Sequence, residues 1–239
     1  MNYATYHFIT SVMRLLIWGG WKKNARLQGA ENLPKRGPGI FIGNHANTLG
    51  PIGCVSMLPL RLYPWVRPEM LDLRTNPDYM RADFVEKDLH LKPPISKLFA
   101  LGLSRLVVPL LNHAGSIPAF QNDHLMELRI TVDKSLEHLL KGEFLLVFPE
   151  VPTWKLDPRT KMREFSYGVL WLAEVYSHHT GKRLPLYPVC VHPTHRIRLG
   201  QPTLLGEEEI ATQAQKQACI TTLENCIREM YLNMERVGD

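Results

Sequence analysis

Asn44 and His45 follow the short apolar run Gly39 to Gly43, inside the stretch IFIGNHANTLGPIG (40–53). A strand that ends in a histidine can place a general base. A neutral imidazole near pH 7 takes a proton from a hydroxyl and so makes it a nucleophile toward an acyl carbonyl. A base of this kind ordinarily has a carboxylate behind it to hold the ring and its tautomer. None is close in sequence: no Asp or Glu occurs between Glu31 and Glu69. Two further stretches end apolar runs in the same way. LLVFPE (145–150) carries out Phe148, Pro149 and Glu150, and GSIPAF (115–120) carries Gly115, Ile117 and Pro118. Glu150, leaving a buried strand, is a candidate for binding substrate hydroxyls or for a raised pKa. Taken singly each signal is weak, because a histidine after a strand is more often a satisfied loop or core residue than a base.

The elements that must position these residues can be read from periodicity. GPGIFIGNH predicts a strand, a helix follows over 51–62 after Pro51, and DFVEK (83–87) reads as a second strand. The apolar segment SKLFALGLSRLVVPLL (96–111) is interrupted by Arg105 and Pro109 and is either buried or in contact with lipid. GSIPAF reads as a short strand. Leu125, Leu128, Val132, Leu136 and Leu139 recur at helical spacing within 123–141, a core-facing stripe. GEFLLVFPE (142–150) reads as a buried strand, 164–179 as a helix and RLPLYPVCVHP (183–193) as a strand. A final amphipathic helix over 207–235 marks one face with Ile220, Leu223, Ile227, Met230 and Met234. Strands alternating with helices predict an α/β fold, in which sites sit at the C-terminal ends of strands.

At 239 residues the chain is long enough for one such domain with a real core, and 45% hydrophobic residues exclude disorder. Lys and Arg exceed Asp and Glu by 28 to 23, a mild excess that suits an anionic lipid surface or a phosphate-bearing ligand. The basic residues are scattered and match no nucleic-acid motif, so no nucleic-acid partner is expected. Cys54, Cys190, Cys219 and Cys226 form no CxxC pair, so reduced thiols and no metal site are expected. The N-terminal stretch YATYHFITSVMRLLIWGGWKK is too short and interrupted for a membrane span and shows no signal-peptide cleavage site. With Trp18 and Trp21 beside Lys22 and Lys23 it fits an amphipathic helix lying in the lipid interface; a helix packed on the domain's own core fits as well.

Read together, in order and spacing, these stretches resemble the glycerolipid acyltransferase family, which includes glycerol-3-phosphate, lysophosphatidic acid and other lysophospholipid acyltransferases. LQGAENLPKRGPGIFIGNH (27–45) looks like the family's first block, GSIPAF like its second, LLVFPE like its third and LPLYPVCV (184–191) like its fourth. FSYGVLWLA (165–173) is similar to the helix after the third block, and IRLGQP (197–202) trails the fourth. The resemblance covers roughly residues 27–205. It implies a mixed central sheet flanked by helices, like that of glycerol-3-phosphate acyltransferases, in a domain over 27–205. An N-terminal membrane-associating segment (1–26) would precede it, and the helix of 206–239 would pack on it. It further implies a catalytic pair of Asn44 and His45, with His45 as base. Phe148, Pro149, Glu150, Gly115, Ile117 and Pro118 would line the substrate site. The donor would be acyl-CoA or acyl carrier protein with no bound cofactor, the acceptor a lysolipid, and the place the cytoplasmic face of a membrane.

The departures fall on functional positions. The family carries an Asp five residues after its histidine, where this chain has Gly50, followed by Pro51. In a serine-protease triad, disabling the orienting Asp lowers turnover about 10⁴-fold, roughly 5 kcal/mol of barrier. The second block lacks its Arg, reading Phe120, Gln121, Asn122, and FPE continues Val151, Pro152, Thr153 where the family has Gly-Thr-Arg. Lys155 is the nearest basic stand-in, with Arg159, Lys161 and Arg163 beyond it. Bidentate Arg is the natural phosphate clamp, so its loss points to an acceptor with more than a simple phosphate monoester. The alternative is a catalytically inactive relative that binds lipid or a protein partner. Asn44, a distant carboxylate such as Asp72, Asp83 or Glu86, or a backbone carbonyl are the candidates to hold the ring of His45.

Overall fold

The computed structural model describes residues 6, 10–11, 27–46, 49–87, 89–120, 125–194 and 196–236. The expected N-terminal membrane-associating helix falls almost wholly outside them. The chain divides into two compact units, one of residues 2–62 and 135–239 and one of 63–134.

The larger unit carries a mixed sheet. Strand β1 is Leu27–Gln28 and β2 is Gly39–Gly43; β5 is Phe144–Val147, β6 Leu184–Val191, β7 Ile197–Leu199 and β8 Thr203–Leu205. β2 lies between β5 and β6, parallel to both, with Ile42 opposite Val147 on one side and Pro188 on the other. The eight-residue β6 is long enough to hold β7 and β8 antiparallel along its outer edge, and β1 pairs parallel with β7. The three central strands read as continuous apolar runs because the sheet is covered on both faces, so alternation with polar residues is lost. On one face Phe41, Phe144, Leu146, Tyr187 and Val189 meet Cys54 of helix α1 (Leu49–Met57) and Leu58 just after it. Ile40, Ile42, Leu145 and Val147, all buried, alternate to the other face. Helices α5 (Gly168–Thr180) and α6 (Gln213–Arg236) pack on β6. The face of α6 marked by Ile220, Leu223, Ile227, Met230 and Met234 is buried as its spacing predicts.

The smaller unit contains β3 (Leu62–Val66, from Tyr63 onward) and β4 (Ile117–Pro118), paired in parallel with Trp65 opposite Ile117. It also holds a short helix α2 (Asn76–Met80) and the long helix α3 (Ile95–Ala114). Helix α4 (Leu125–Leu140) begins here and ends in the larger unit.

Three expectations are corrected. The helix expected over 51–62 stops at Met57, since Pro59 cannot continue it, and the chain turns into β3 instead. DFVEK is not a strand. Residues 81–85 continue α2 as a wide helical turn, with the Glu86 N–H bonded to the Arg81 carbonyl at 2.8 Å, because Phe84 and Val85 pack on Met80 and Ala100. The expected stripe on α4 is rotated. Leu125 is exposed, and the row Thr131, Ser135, Leu139 is buried, with the Thr131 hydroxyl donating to the Pro118 carbonyl at 2.8 Å. The apolar segment of 96–111 lies within α3, which carries Pro109 inside it.

Candidate functional site

Strands β5, β2 and β6 are parallel neighbours, so whatever follows each of them leaves the same edge of the sheet. β2 ends at Gly43 and delivers Asn44 and His45; β5 ends at Val147 and delivers Phe148, Pro149 and Glu150; β6 ends at Val191 and delivers His192. The structure therefore brings together the histidine and the glutamate that lie 105 residues apart. His45 is exposed, and its backbone N–H donates to Glu150 Oε1 at 2.6 Å. The edge of its imidazole meets the Phe148 ring, centroids 5.4 Å apart. Glu150 Oε2 accepts the Arg163 N–H at 2.9 Å, so one carboxylate braces two loops through their backbones.

Asn44 acts differently from a residue that orients a ring. Its side chain is buried, Nδ2 donating to the Val191 carbonyl at 2.9 Å and Oδ1 accepting the Val191 N–H at 2.8 Å. These two bonds replace the ladder that β6 can no longer make once β2 has ended, and they fix the point from which His45 departs. The three distant carboxylates raised as candidates are engaged within the smaller unit. Asp72 accepts the Arg74 N–H, Asp83 accepts from the Tyr79 hydroxyl, and Glu86 accepts from the Ser96 hydroxyl.

Position 50 is occupied for a steric reason. The Gly50 N–H bonds to the His45 carbonyl at 3.0 Å, and a Cβ there would stand 2.2 Å from that oxygen and 2.6 Å from the Asn44 carbonyl oxygen. The obstacle to a carboxylate is thus the backbone of the two residues before it.

The loop after Glu150 is fastened at several points. Val151 N–H bonds to the Glu164 carbonyl, Ser166 N–H to the Pro149 carbonyl, and Arg163 Nε to the Trp154 carbonyl. Arg228 on α6 reaches Asp157 at 3.0 Å, Thr160 at 2.7 Å and Glu224 at 2.9 Å, while the other oxygen of Glu224 accepts the Phe165 N–H. Hydrogen bonds from the backbone at Thr160 hold the Asp157 carboxyl below its usual range, helped by the Arg228 charge. Of the basic stand-ins, Lys155, Arg159 and Lys161 are exposed on this loop, whereas Arg163 is committed to Trp154.

In the smaller unit, Gly115 caps α3 at φ 82°, a conformation that favours glycine, and a Cβ would press on the Tyr63 ring at 2.9 Å. Ile117 and Pro118 are buried in β4. Gln121 and Asn122, where the family's arginine would fall, lie outside the described residues.

Sequence reasoning passed over His192 and Arg228. The signal for His192 was the same as for His45, an imidazole directly after an apolar run; nothing local marked Arg228. His192 is 5% exposed, its Nδ1 bonded to the Thr194 hydroxyl, its ring 4.6 Å from that of Tyr231 and its Nε2 buried without a hydrogen-bond partner. All four cysteines are free thiols, and burial pushes Cys54 and Cys190 far up, so neither is a ready nucleophile. Among the described residues no group of three or more His, Cys, Asp or Glu could hold a metal ion.

Three outcomes are expected. Asn44→Ala strands the Val191 N–H and carbonyl in a dry strand end and lowers stability by about 3 kcal/mol, read by urea denaturation. Gly50→Ala and Gly50→Asp both force the carbonyls of residues 44 and 45 apart, costing about 3 kcal/mol or more. An unchanged urea midpoint in either variant would contradict this packing. Burial, aided by the nearby Arg196, lowers the His192 pKa from its ordinary 6.5. Above pH 6.5 both folded and unfolded chains hold this ring neutral. As pH falls through and below that value the unfolded chain binds the proton first, so stability declines. His192→Gln should flatten that part of the decline in denaturation midpoints taken between about pH 7.5 and 5.5.

Compared by sequence, the chain matches no family model and no curated protein. By structure it is similar to the crystal structure of the 1-acyl-sn-glycerophosphate (LPA) acyltransferase PlsC from Thermotoga maritima. The TM-score is 0.58 at 14% identity, covering 96% of this chain and 79% of that one. Its fold is accordingly acyltransferase-like: mixed α/β, with eight strands and flanking helices among the described residues.

Proposed function

We infer that this chain is a lipid acyltransferase in which His45 is the general base. The acceptor's hydroxyl gives its proton to the imidazole as its oxygen attacks the thioester carbonyl of acyl-CoA or acyl carrier protein. The tetrahedral intermediate then collapses, the carbon–sulfur bond breaks, and the thiolate leaves with the proton that His45 holds. One observation carries the reading: an exposed imidazole stands at the shared C-terminal edge of three parallel strands, its backbone gripped by Glu150 at 2.6 Å. The likeness in fold to PlsC agrees with it. In this reading Phe148 and Pro149 form the wall beside the base. Lys155, with Arg159 and Lys161, offers the acceptor's head group separate point charges in place of a bidentate clamp. That arrangement suits a lysophospholipid whose phosphate carries a further group, held at a membrane surface.

A second reading has its own observation. Gly50 closes on the carbonyls of Asn44 and His45, so the backbone has settled into a form that admits no carboxylate there. A protein that binds lipid at this sheet edge without turning it over would tolerate that form.

Thiol release separates the two. With acyl-CoA or acyl carrier protein and a panel of lysolipids, the acyltransferase reading expects release that His45→Ala lowers about 10²- to 10⁴-fold. No release above background with any acceptor, with lipid still bound, assigns the chain to the binding class. Release that survives His45→Ala shows that another group is the base.

A further inference from the structure

Helix α3 is built inside out. Its buried row is Ser96, Ala100, Ser104 and Val108, each at most 4% exposed, while Leu98 is 76% exposed, Leu106 72% and Ile95 63%. In a helix of a water-exposed domain the large apolar side chains face inward and the small polar ones outward. Here Ser96 and Ser104 face inward, their hydroxyls satisfied by Glu86 Oε1 at 2.8 Å and the Ala100 carbonyl at 2.7 Å. Ile95, Leu98, Phe99, Gly102, Leu103 and Leu106 line an open apolar groove on the outside. Among the described residues it is the one helix long and apolar enough to cross a membrane. Its other face nevertheless packs into the core with Met80 and Val85, which it could not do while spanning a bilayer.

Charge says what covers the groove. Residues 89–120 contain no Asp or Glu and three basic residues, Lys92, Lys97 and Arg105, all exposed. Lys97 and Arg105 immediately precede Leu98 and Leu106, two matched points about 12 Å apart along the axis. At each, a cation borders a large apolar side chain, the arrangement in which basic side chains reach the lipid headgroups while their neighbours enter the acyl region. A second copy seated on the same face would bring these cations together around a two-fold axis with no acid on the helix to meet them. The chain's own residues 1–26 would do no better, since they too lack acid and carry Arg14, Lys22, Lys23 and Arg26. Neither supplies the negative charge that an anionic lipid surface would bring to these cations.

We propose that the outer face of α3 is a docking surface for an anionic lipid bilayer, lying in the plane of the interface with its apolar side chains about 5–10 Å below the headgroups. The proposal stands apart from catalysis: it holds whether or not the site turns lipid over.

Flotation of the full chain on vesicles tests it, comparing pure phosphatidylcholine with phosphatidylcholine containing a quarter phosphatidylglycerol. The native chain should float with the anionic vesicles and far less with the neutral ones. Leu98→Glu/Leu106→Glu and Lys97→Gln/Arg105→Gln should each lower partitioning about tenfold or more. Both pairs are solvent-exposed, so the thermal midpoint should hold. If the glutamate pair melts early, Leu98→Gln/Leu106→Gln replaces it. His45→Ala should float like the native chain, which keeps this outcome separate from any failure of the catalytic reading. The proposal is overturned if the native chain stays off anionic vesicles, or if the leucine variants float unchanged. It is overturned too if light scattering shows a dimer that the glutamate pair dissolves, which would give the face to a second copy.

Discussion

One carboxylate holds the candidate site in place. Glu150 leaves β5 at the level where β2 ends, and its two oxygens take N–H groups from the loops that follow β2 and β5, at His45 and at Arg163. Backbone N–H groups just past a strand end have lost their ladder partners, and an ionised acceptor satisfies them more strongly than a neutral one. The register of β2 against β5 makes this possible. With Ile42 opposite Val147, residues 45 and 150 emerge side by side, and a slip of one residue would turn Glu150 to the other face. The chain therefore does keep a carboxylate beside its histidine, but one that grips the backbone where a triad carboxylate grips the ring.

That substitution of roles reaches outward to α6. A loop that must present Glu150 accurately needs its own anchors, and the residues from 151 to 165 have them at both ends and the middle. The Asp157–Arg228–Glu224 chain spans from the loop to the terminal helix, and Glu224 closes the circuit by accepting the Phe165 N–H next to the Glu150–Phe165 bridge. Arg228 is mostly shielded, so its bonds to two carboxylates and the Thr160 hydroxyl are little diluted by water. The Val151-Pro152-Thr153 sequence makes sense in this setting. It starts a turn whose position is set by these anchors, with no arginine of its own to aim.

The three central strands were legible because each is a compact apolar run, and α6 because its apolar residues keep helical spacing over about four turns. The shorter strands were not. β7 and β8 are three residues each, too short for a period to show, and β3 begins at Leu62, inside the stretch that reads as a helix over 51–62. DFVEK misled because five residues are too few to separate the two periods: an apolar pair between charges fits a short strand as well as the last turn of a helix, and here Phe84 and Val85 are both drawn to one small core. In the site, the positions of His45 and Glu150 could be read from strand ends, yet their bond could not, since it depends on which strands are neighbours. The Asn44 clamp on Val191 and the reach of Arg228 across 71 residues to Asp157 are products of tertiary packing, with no trace in local pattern.

Two places break the local rules a sequence normally obeys. The first is the approach of a helix onto the carbonyls of residues 44 and 45, tolerated only by glycine; the second is a helix whose serines face in and whose leucines face out. Such breaks are expected where folding has yielded to something other than folding. The inverted helix is the more telling of the two. Its inward row of Ser96, Ala100 and Ser104 lets it lie close against the rest of the smaller unit, while Leu98 and Leu106 stay exposed on the opposite face, the one proposed to meet a bilayer. Turning α3 about its axis to hide them would bury Arg105 and free both serines to water. The exposed leucines therefore come with the same packing that buries the serines, and the bilayer contact proposed for this face is consistent with both.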